Sequence, residues 1–288
     1  MSTTLLEQLN RLTEAHAWES VVNLTREIRA MDGPAVDRAT ASYLLGIAHW
    51  HLGRDPWDYT LAVRYLRQAA KVQDQSLGAR VLRNLGSMLV TIGRFAEGRQ
   101  ILQVWITEFG PENPGYIADA QYSIGYAYRY EGRPVQAALW YRQALAGFTA
   151  AGNTEWIHNS SCALVQALAK GGRLTQAREL LDSIPIGGSH EAYRLKAATE
   201  LLAAEGNTDA AMATGELAAE HLLELEDQDS WELAELHALL ARLQFQAGHM
   251  LDRDMHADLA MDCLRASKRH DLLRMVCLLL DHEREEVV

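Results

Sequence analysis

Apolar residues recur at three- and four-residue steps along almost the whole chain, in segments separated by short polar or glycine-containing breaks. This spacing places the apolar side chains on one face of an α-helix. The stretch 122–147 shows the pattern most clearly. One apolar face ends at Gly132-Arg133-Pro134, and a second one begins at Ala137. The pattern predicts two short antiparallel helices joined by a tight turn.

The same break recurs at intervals of 40, 39, 40, 34 and 42 residues. It is a glycine, usually followed by arginine, and it stands at Gly53, Gly93, Gly132, Gly172, Gly206 and Gly248. Small residues stand at fixed distances before and after these turns, at Gly46, Gly86, Gly125, Ala62, Gly98, Ala137, Ala177 and Ala211. Glycine supplies the left-handed backbone that ends a helix, and small residues allow two helix axes to approach closely. One hairpin cannot bury its apolar face alone, so the repetition predicts a stack of hairpins.

The breaks divide the chain into seven predicted hairpins and one further helix. The predicted helix pairs are 3–14 with 19–31, 36–52 with 60–73, 78–92 with 95–109, 116–131 with 134–151, 155–170 with 174–183, 189–205 with 208–225, and 229–247 with 252–267. An insertion at 55–59 is predicted to be a loop within the second pair. The further helix, 269–286, is predicted to cap the stack, and pairing with a second chain is the alternative.

This pattern resembles the tetratricopeptide repeat (TPR) family, whose unit has a small residue late in helix A, a turn glycine and an alanine early in helix B. The matching residues are Leu45-Gly46 with Ala62 and Ala69, Leu85-Gly86 with Gly98, and Ile124-Gly125 with Tyr128, Ala137, Tyr141 and Ala144. The family's usual period is about 34 residues. The longer period here resembles the variant found in peptide-responsive bacterial regulators and some scaffold proteins.

The resemblance covers roughly residues 3–265 and implies an all-α fold. It implies a right-handed superhelical α-solenoid of about seven TPR-like helical hairpins with a C-terminal capping helix. We expect a single domain over 1–288, with the repeats at about 3–267 and the further helix at 269–286.

Charge and cysteine content narrow the possible functions. The net charge is −11, and residues 1–144 hold 15 Lys and Arg against 14 Asp and Glu, whereas the remainder holds 12 against 24. An acidic total argues against direct nucleic-acid binding. The three cysteines form no CxxC pair and lie in apolar helical patterns, which indicates free thiols in a reducing compartment. The amino terminus lacks a signal-peptide pattern, and the apolar run 275–280 is too short to span a bilayer, so we expect a cytoplasmic protein without membrane contact.

The resemblance implies that the A helices line the inner surface and present their non-packing residues to a partner. The candidate peptide- or partner-binding residues are Arg80, Arg83, Asn84, Ser87, Tyr122, Tyr126, Arg129, Tyr130, Asn159, Gln166 and Lys196. Asparagine can bond both groups of a peptide backbone, arginine can hold a carboxylate, and tyrosine supplies rigid contact area. The alternative is that these side chains pack between repeats. The family's carboxylate clamp needs Lys and Asn on three successive A helices, and a complete clamp is not predicted here.

No motif indicates catalysis, a metal or a cofactor. Single glycines after helices do not form a nucleotide-binding loop. His158 and Cys162 stand one helical turn apart in an apolar stripe, so we interpret Cys162 as a core residue. Glu216, Glu220 and Glu224 indicate either a solvated face or a site for a basic partner.

The favoured hypothesis is a non-enzymatic scaffold that holds an extended peptide or a partner segment in its concave groove. The alternative is a peptide-responsive regulatory sensor of the bacterial quorum-sensing type that acts through a protein partner. Monomer and homodimer both remain open.

Overall fold

The structure is a computed structural model, and it describes residues 2–53, 56–112, 114–188, 190–225 and 230–266. Its regular elements in these residues are fifteen α-helices and two short 3-10 turns, Gly110–Glu112 and Pro114–Tyr116. The helices are α1 (Ser2–Glu14), α2 (Trp18–Asn23), α3 (Thr25–Arg29), α4 (Ala35–Leu52), α5 (Pro56–Ala69), α6 (Gln75–Thr91), α7 (Phe95–Glu108), α8 (Ile117–Tyr130), α9 (Pro134–Ala151), α10 (Thr154–Lys170), α11 (Leu174–Ser183), α12 (Glu191–Ala204), α13 (Thr208–Leu223), α14 (Ser230–Gln246) and α15 (Met250–Ala266). The predicted all-α fold is confirmed.

The chain divides into two compact units, Met1–Asn113 and Pro114–Val288. In the first unit, α1 packs with α2 and α4, and α4–α5 and α6–α7 form hairpins. In the second unit, α8–α9, α10–α11, α12–α13 and α14–α15 form hairpins, and the A helices α10, α12 and α14 contact one another in sequence. The predicted hairpin order is therefore present, whereas a single domain over the whole chain stays a prediction.

The turn glycines have the predicted conformation. Positive φ angles occur at all six, Gly53, Gly93, Gly132, Gly172, Gly206 and Gly248. At Gly132 (φ 68°), the glycine N–H donates to Arg129 O at 3.1 Å, and the Arg133 N–H donates to Tyr128 O at 2.9 Å. This is the hydrogen-bond pair of a Schellman helix end, in which a side chain at the glycine position would be strained.

Small residues hold the two helices of a hairpin together. A Cβ added to Gly98 would lie 2.7 Å from the backbone oxygen of Gly86 on the partner helix. A Cβ on Gly125 would lie 2.8 Å from the ring of Tyr141. The predicted close approach of helix A and helix B is confirmed at these positions.

The predicted loop at 55–59 is wrong for residues 56–59, because α5 begins at Pro56. Proline is favourable in the first turn of a helix, where its missing N–H costs nothing. Asp58 is then buried, and its Oδ1 lies 2.7 Å from Nδ1 of buried His49 on α4. Trp57 is 64% exposed. The contact between Asp58 and His49 explains why this polar segment is helical.

Two other boundaries differ from the sequence pattern. The helix predicted at 19–31 is interrupted at Leu24, where the Thr25 hydroxyl donates to Val22 O at 2.6 Å and competes with the regular ladder. The helix predicted at 78–92 begins earlier, at Gln75, because Asp74 accepts the Leu77 N–H at 2.7 Å. The predicted helix 269–286 lies outside the described residues.

A pair of buried histidines links the two helices of the last hairpin, α14 and α15. Nδ1 of His237 on α14 lies 3.2 Å from Nδ1 of His256 on α15, and Nε2 of His256 lies 2.9 Å from Glu216 on α13. Both rings are buried. Burial, and then the neighbouring His256, lower the pKa of His237 to about 4.

Replacing Gly98 with alanine tests the close packing of the hairpin. We expect Gly98→Ala to lower the free energy of unfolding by about 1–3 kcal/mol, because the new methyl group meets backbone that cannot rotate away. Gly78→Ala is the matched control, since a Cβ there has nothing within 4 Å. Urea unfolding of both variants is the measurement, and equal effects would contradict the packing role of Gly98.

The pKa of His237 makes a pH dependence testable. The neutral ring is favoured in the folded state, so below about pH 6.5 the unfolded chain binds a proton that the folded chain does not. The contribution of His237 to the free energy of unfolding is therefore complete above about pH 6.5 and falls as the pH drops toward 4. The loss is about 2 kcal/mol at pH 5. Urea unfolding at pH 7 and pH 5 measures this loss. His237→Phe should reduce the pH dependence, whereas His221→Phe, at a partly exposed site, should leave it unchanged.

Candidate functional site

The predicted binding residues lie on four A helices that belong to two different units. In the first unit, α6 carries Arg80, Arg83, Asn84 and Ser87. In the second unit, α8 carries Tyr122, Tyr126, Arg129 and Tyr130, α10 carries Asn159 and Gln166, and α12 carries Lys196. The two groups have different surroundings and are described separately.

In the first unit, three residues form what we call the α4–α6 cluster: Tyr43, Arg80 and Asn84. The Asn84 side-chain amide donates to the Tyr43 hydroxyl at 2.8 Å. The Arg80 guanidinium lies over the Tyr43 ring, 5.6 Å from its centroid. Arg80 is exposed, and Tyr43 and Asn84 are half-buried. This places a cation, an amide and an aromatic ring together where a ligand can reach them.

The amphipathic pattern of α6 produces this arrangement. Leu77, Val81 and Leu85 form its buried face, so the positions between them, 80, 83, 84 and 87, are displaced from the core. Arg83 and Ser87 are half-buried beside the cluster positions. The apolar register of α6 therefore predicts which of its residues lie outside the core.

In the second unit, Arg129 is at the centre of a group of charged residues. Its Nη2 lies 3.2 Å from Glu200 Oε1 on α12 and 3.2 Å from Glu235 Oε2 on α14. These partners are 71 and 106 residues away in the chain. One guanidinium therefore joins the A helices of three different hairpins.

Three further residues complete what we call the ion cluster. Lys196 Nζ lies 2.6 Å from Glu235 Oε2 and also pairs with Glu232. Lys170 Nζ lies 3.1 Å from Glu200 Oε2. The ion cluster thus contains three cations and three carboxylates: Arg129, Lys170, Lys196, Glu200, Glu232 and Glu235.

Charges in the ion cluster stabilise one another against the cost of burial. Burial alone would raise the pKa of the Glu235 carboxyl, but Arg129, Lys196 and Lys170 together outweigh it and hold that pKa well below its usual range. Burial would likewise lower the pKa of Lys196, which is 1% exposed, but Glu232 and Glu235 raise it. The opposite charges of the ion cluster thus offset the cost of burying Glu235 and Lys196.

Aromatic side chains surround the ion cluster. The rings of Tyr126 and Tyr130 are 4.3 Å apart, and the Trp231 indole N–H donates to the Tyr130 hydroxyl at 3.0 Å. In and around the ion cluster, Arg129 Nε, Glu200 Oε2 and the Tyr141 hydroxyl are buried without a hydrogen-bond partner among the described residues. Glu200 Oε2 has instead an ion pair with Lys170.

The predicted residues of the second unit are more buried than those of the first. Lys196 and Gln166 are buried, the Arg129 side chain is 6% exposed, and Asn159 is half-buried. The sequence reasoning did not identify Lys170, Trp231, Glu232 or Glu235. The signal that could have found them is charge complementarity between A helices, since Glu232 and Glu235 share a helical face opposite cations on α8 and α12.

Cys162 has a different environment from a reactive thiol. Burial raises the pKa of the Cys162 thiol to about 12. The His158 ring donates from Nδ1 to Thr154 O at 2.8 Å and stacks on His190. The core interpretation of Cys162 agrees with this geometry. Within the described part of the chain, no three His, Cys, Asp or Glu residues are grouped to hold a metal ion.

Comparisons with known proteins agree with the repeat pattern. Residues 58–114 match the model of the tetratricopeptide repeat family. A search of curated proteins by sequence finds no match. Together with the hairpins above, the match to the family model confirms the predicted resemblance.

Several solved structures share this fold. Apo RapI superposes with a TM-score of 0.68 at 10% identity, over 92% of this chain and 97% of that chain. NprR in complex with its cognate peptide NprX has a TM-score of 0.68 at 14% identity, over 99% and 82%. A Rap protein complexed with Competence and Sporulation Factor has a TM-score of 0.63 at 10% identity, over 99% and 93%. At these identities the likeness shows the fold alone.

None of the helices in the described residues has the length and apolar character needed to cross a membrane.

Removing one carboxylate tests the balance of the ion cluster. We expect Glu235→Gln to lower the free energy of unfolding by about 3–5 kcal/mol, because Arg129 and Lys196 remain buried with less compensation. Glu205→Gln is the matched control, since its pair with Arg178 is partly exposed and contributes about 0–1 kcal/mol. Guanidinium unfolding followed by circular dichroism measures both. Losses of similar size would contradict the role assigned to the cluster.

Proposed function

We propose that this protein is a non-enzymatic scaffold that holds an extended peptide, or an extended segment of a partner protein, against its A helices. The observation that carries the proposal is the α4–α6 cluster. Arg80 can hold a carboxylate, Asn84 can bond a peptide N–H and C=O, and Tyr43 provides a flat contact surface. Because all three side chains are at least partly accessible, a ligand can bind them without unfolding a helix.

The predicted binding residues take two roles in this proposal. Arg80, Arg83, Asn84 and Ser87 contact the ligand directly. In the second unit, half-buried residues such as Tyr126 and Asn159 add contacts. Arg129 and Lys196 support that surface through the ion cluster, while Tyr122, Tyr130 and Gln166 pack around it.

The structural neighbours support a peptide ligand. NprR was solved with its cognate peptide and a Rap protein with Competence and Sporulation Factor, and both share this fold over nearly the whole of the present chain. Direct binding of nucleic acid is not part of the proposal, because the net charge of −11 repels a polyanion.

The second candidate function is that of a peptide-responsive sensor acting through a protein partner. The specific observation that favours it is the position of Arg129, which ties α8 to α12 and α14. If a ligand carboxylate replaced Glu200 or Glu235 as the partner of this guanidinium, the ion pair between α8 and the helix of that glutamate would be lost. Since the three helices belong to different hairpins, their spacing would then change.

Selection of a binding peptide tests the scaffold. Heptapeptides selected from a random displayed library on the wild-type protein should bind the double variant Arg80→Ala, Asn84→Ala at least about tenfold more weakly. The control double variant is Asn23→Ala, Arg26→Ala, which removes the same residue types from exposed positions of the same unit. Isothermal titration calorimetry measures both. If no peptide is enriched, or if enriched peptides bind both variants equally, the proposed site is wrong.

The same selected peptide distinguishes scaffold from sensor. If the protein is a sensor, its radius of gyration from small-angle scattering should change when the peptide saturates it. Glu235→Gln should then shift the scattering profile of the unliganded protein in the same direction. Unchanged profiles at saturation would contradict the sensor and leave the scaffold.

A further inference from the structure

The first unit has a cleft between α3, α4 and α5, and it is separate from the α4–α6 cluster. Its volume is about 320 Å³. Its lining residues are Ile28, Arg29, Met31, Ala35, Arg38, Ala39, Ser42, Arg64, Tyr65, Gln68, Lys71 and Val72. Tyr43, Arg80 and Asn84 are not among them, so the two surfaces use different side chains.

Four cations and no carboxylate line this cleft, in a chain whose net charge is −11. They are Arg29, Arg38, Arg64 and Lys71, and all four are exposed. Among the described residues, no carboxylate lies within 4 Å of any of these cations. Nearby Arg67 and Arg94 differ, since both pair with Glu97. The positive charge at the cleft is thus not neutralised locally, and an anion would relieve the repulsion.

Part of the cleft wall is apolar, and the rest is polar. Ile28, Met31 and Ala39 are each 7% exposed and form part of its wall. Buried Tyr65 accepts a hydrogen bond at 2.8 Å from Arg29, which holds that guanidinium at the edge. A water molecule occupies about 30 Å³ in the liquid, so the cleft is far larger than a single small ion needs. Its shape and polarity suit an apolar side chain flanked by carboxylates.

A neighbouring cleft extends this surface across α5. It has a volume of about 720 Å³ and shares Arg64, Gln68 and Lys71 with the first cleft. These three residues therefore form a ridge with a depression on each side. An extended chain can cross the ridge, place one side chain against the apolar part of the cleft wall and keep its carboxylates near the cations. Nucleic acid fits less well, because a chain with a net charge of −11 repels a long polyanion.

We propose that this cleft, between α3, α4 and α5, binds an acidic peptide segment that carries an apolar side chain. The proposal concerns a site other than the α4–α6 cluster and does not depend on the function proposed for that cluster. The proposed cleft would be a second docking surface. It favours acidic ligands, whereas the acidic carboxyl-terminal half of the chain favours basic ones.

The probe for this site is a fluorescein-labelled peptide of glutamates with one central phenylalanine. Fluorescence anisotropy with the full-length protein should give saturable binding that weakens as salt rises. A peptide with alanine in place of phenylalanine should bind several-fold more weakly. The charge-reversal variant Arg38→Glu, Lys71→Glu should weaken binding of the phenylalanine peptide at least about tenfold.

The matched control is Arg11→Glu, Arg26→Glu, which changes the net charge equally at exposed positions outside the cleft. It should bind within about twofold of wild type. Three results would each overturn the proposal. The two double variants could lose the same affinity for the phenylalanine peptide, or the protein could bind a single-stranded oligonucleotide of matched charge more tightly than the peptide. The third is binding that does not saturate at millimolar peptide. The Arg80→Ala, Asn84→Ala variant should retain full binding of this probe, which separates failure here from failure of the A-helix site.

Discussion

The structure depends on close contact between the two helices of each hairpin at small residues. At Gly98, one added carbon would meet the backbone of Gly86 at 2.7 Å, so the axes can approach only because both positions lack a side chain. This contact fixes the rotation of helix A about its axis. That rotation in turn decides which residues of α6 reach the core and which remain accessible. Packing in this hairpin therefore affects which candidate binding residues of α6 a ligand can reach.

The two units use their A helices differently. In the first unit, Arg80, Asn84 and Tyr43 contact one another and remain partly accessible. In the second unit, Arg129 reaches carboxylates on two other helices and is largely buried. Removing one member of a buried charged set is costly because the others stay desolvated. The same residue types thus stay partly accessible in one unit and hold helices together in the other.

Charge is distributed to match these roles. The ion cluster contains three cations and three carboxylates, whereas the cleft between α3, α4 and α5 carries four cations without local carboxylates. Uncompensated charge on an exposed rim steers an oppositely charged partner, while compensated charge inside a unit holds elements together. The surface between α3, α4 and α5 is therefore the part of the first unit best suited to acidic ligands.

The sequence by itself determined the helical hairpins, their turns and the face of α6 that carries Arg80 and Asn84. These follow from apolar spacing and from glycines, which act within a few residues of chain. It could not determine that Arg129 pairs with Glu200 and Glu235, because those residues are 71 and 106 positions away and their approach depends on how hairpins stack. It also misassigned residues 56–59, where burial of Asp58 against His49 outweighs local loop chemistry. Only the tertiary structure decided which polar residues bind one another and which stay open to a partner, because burial is a property of packed neighbours.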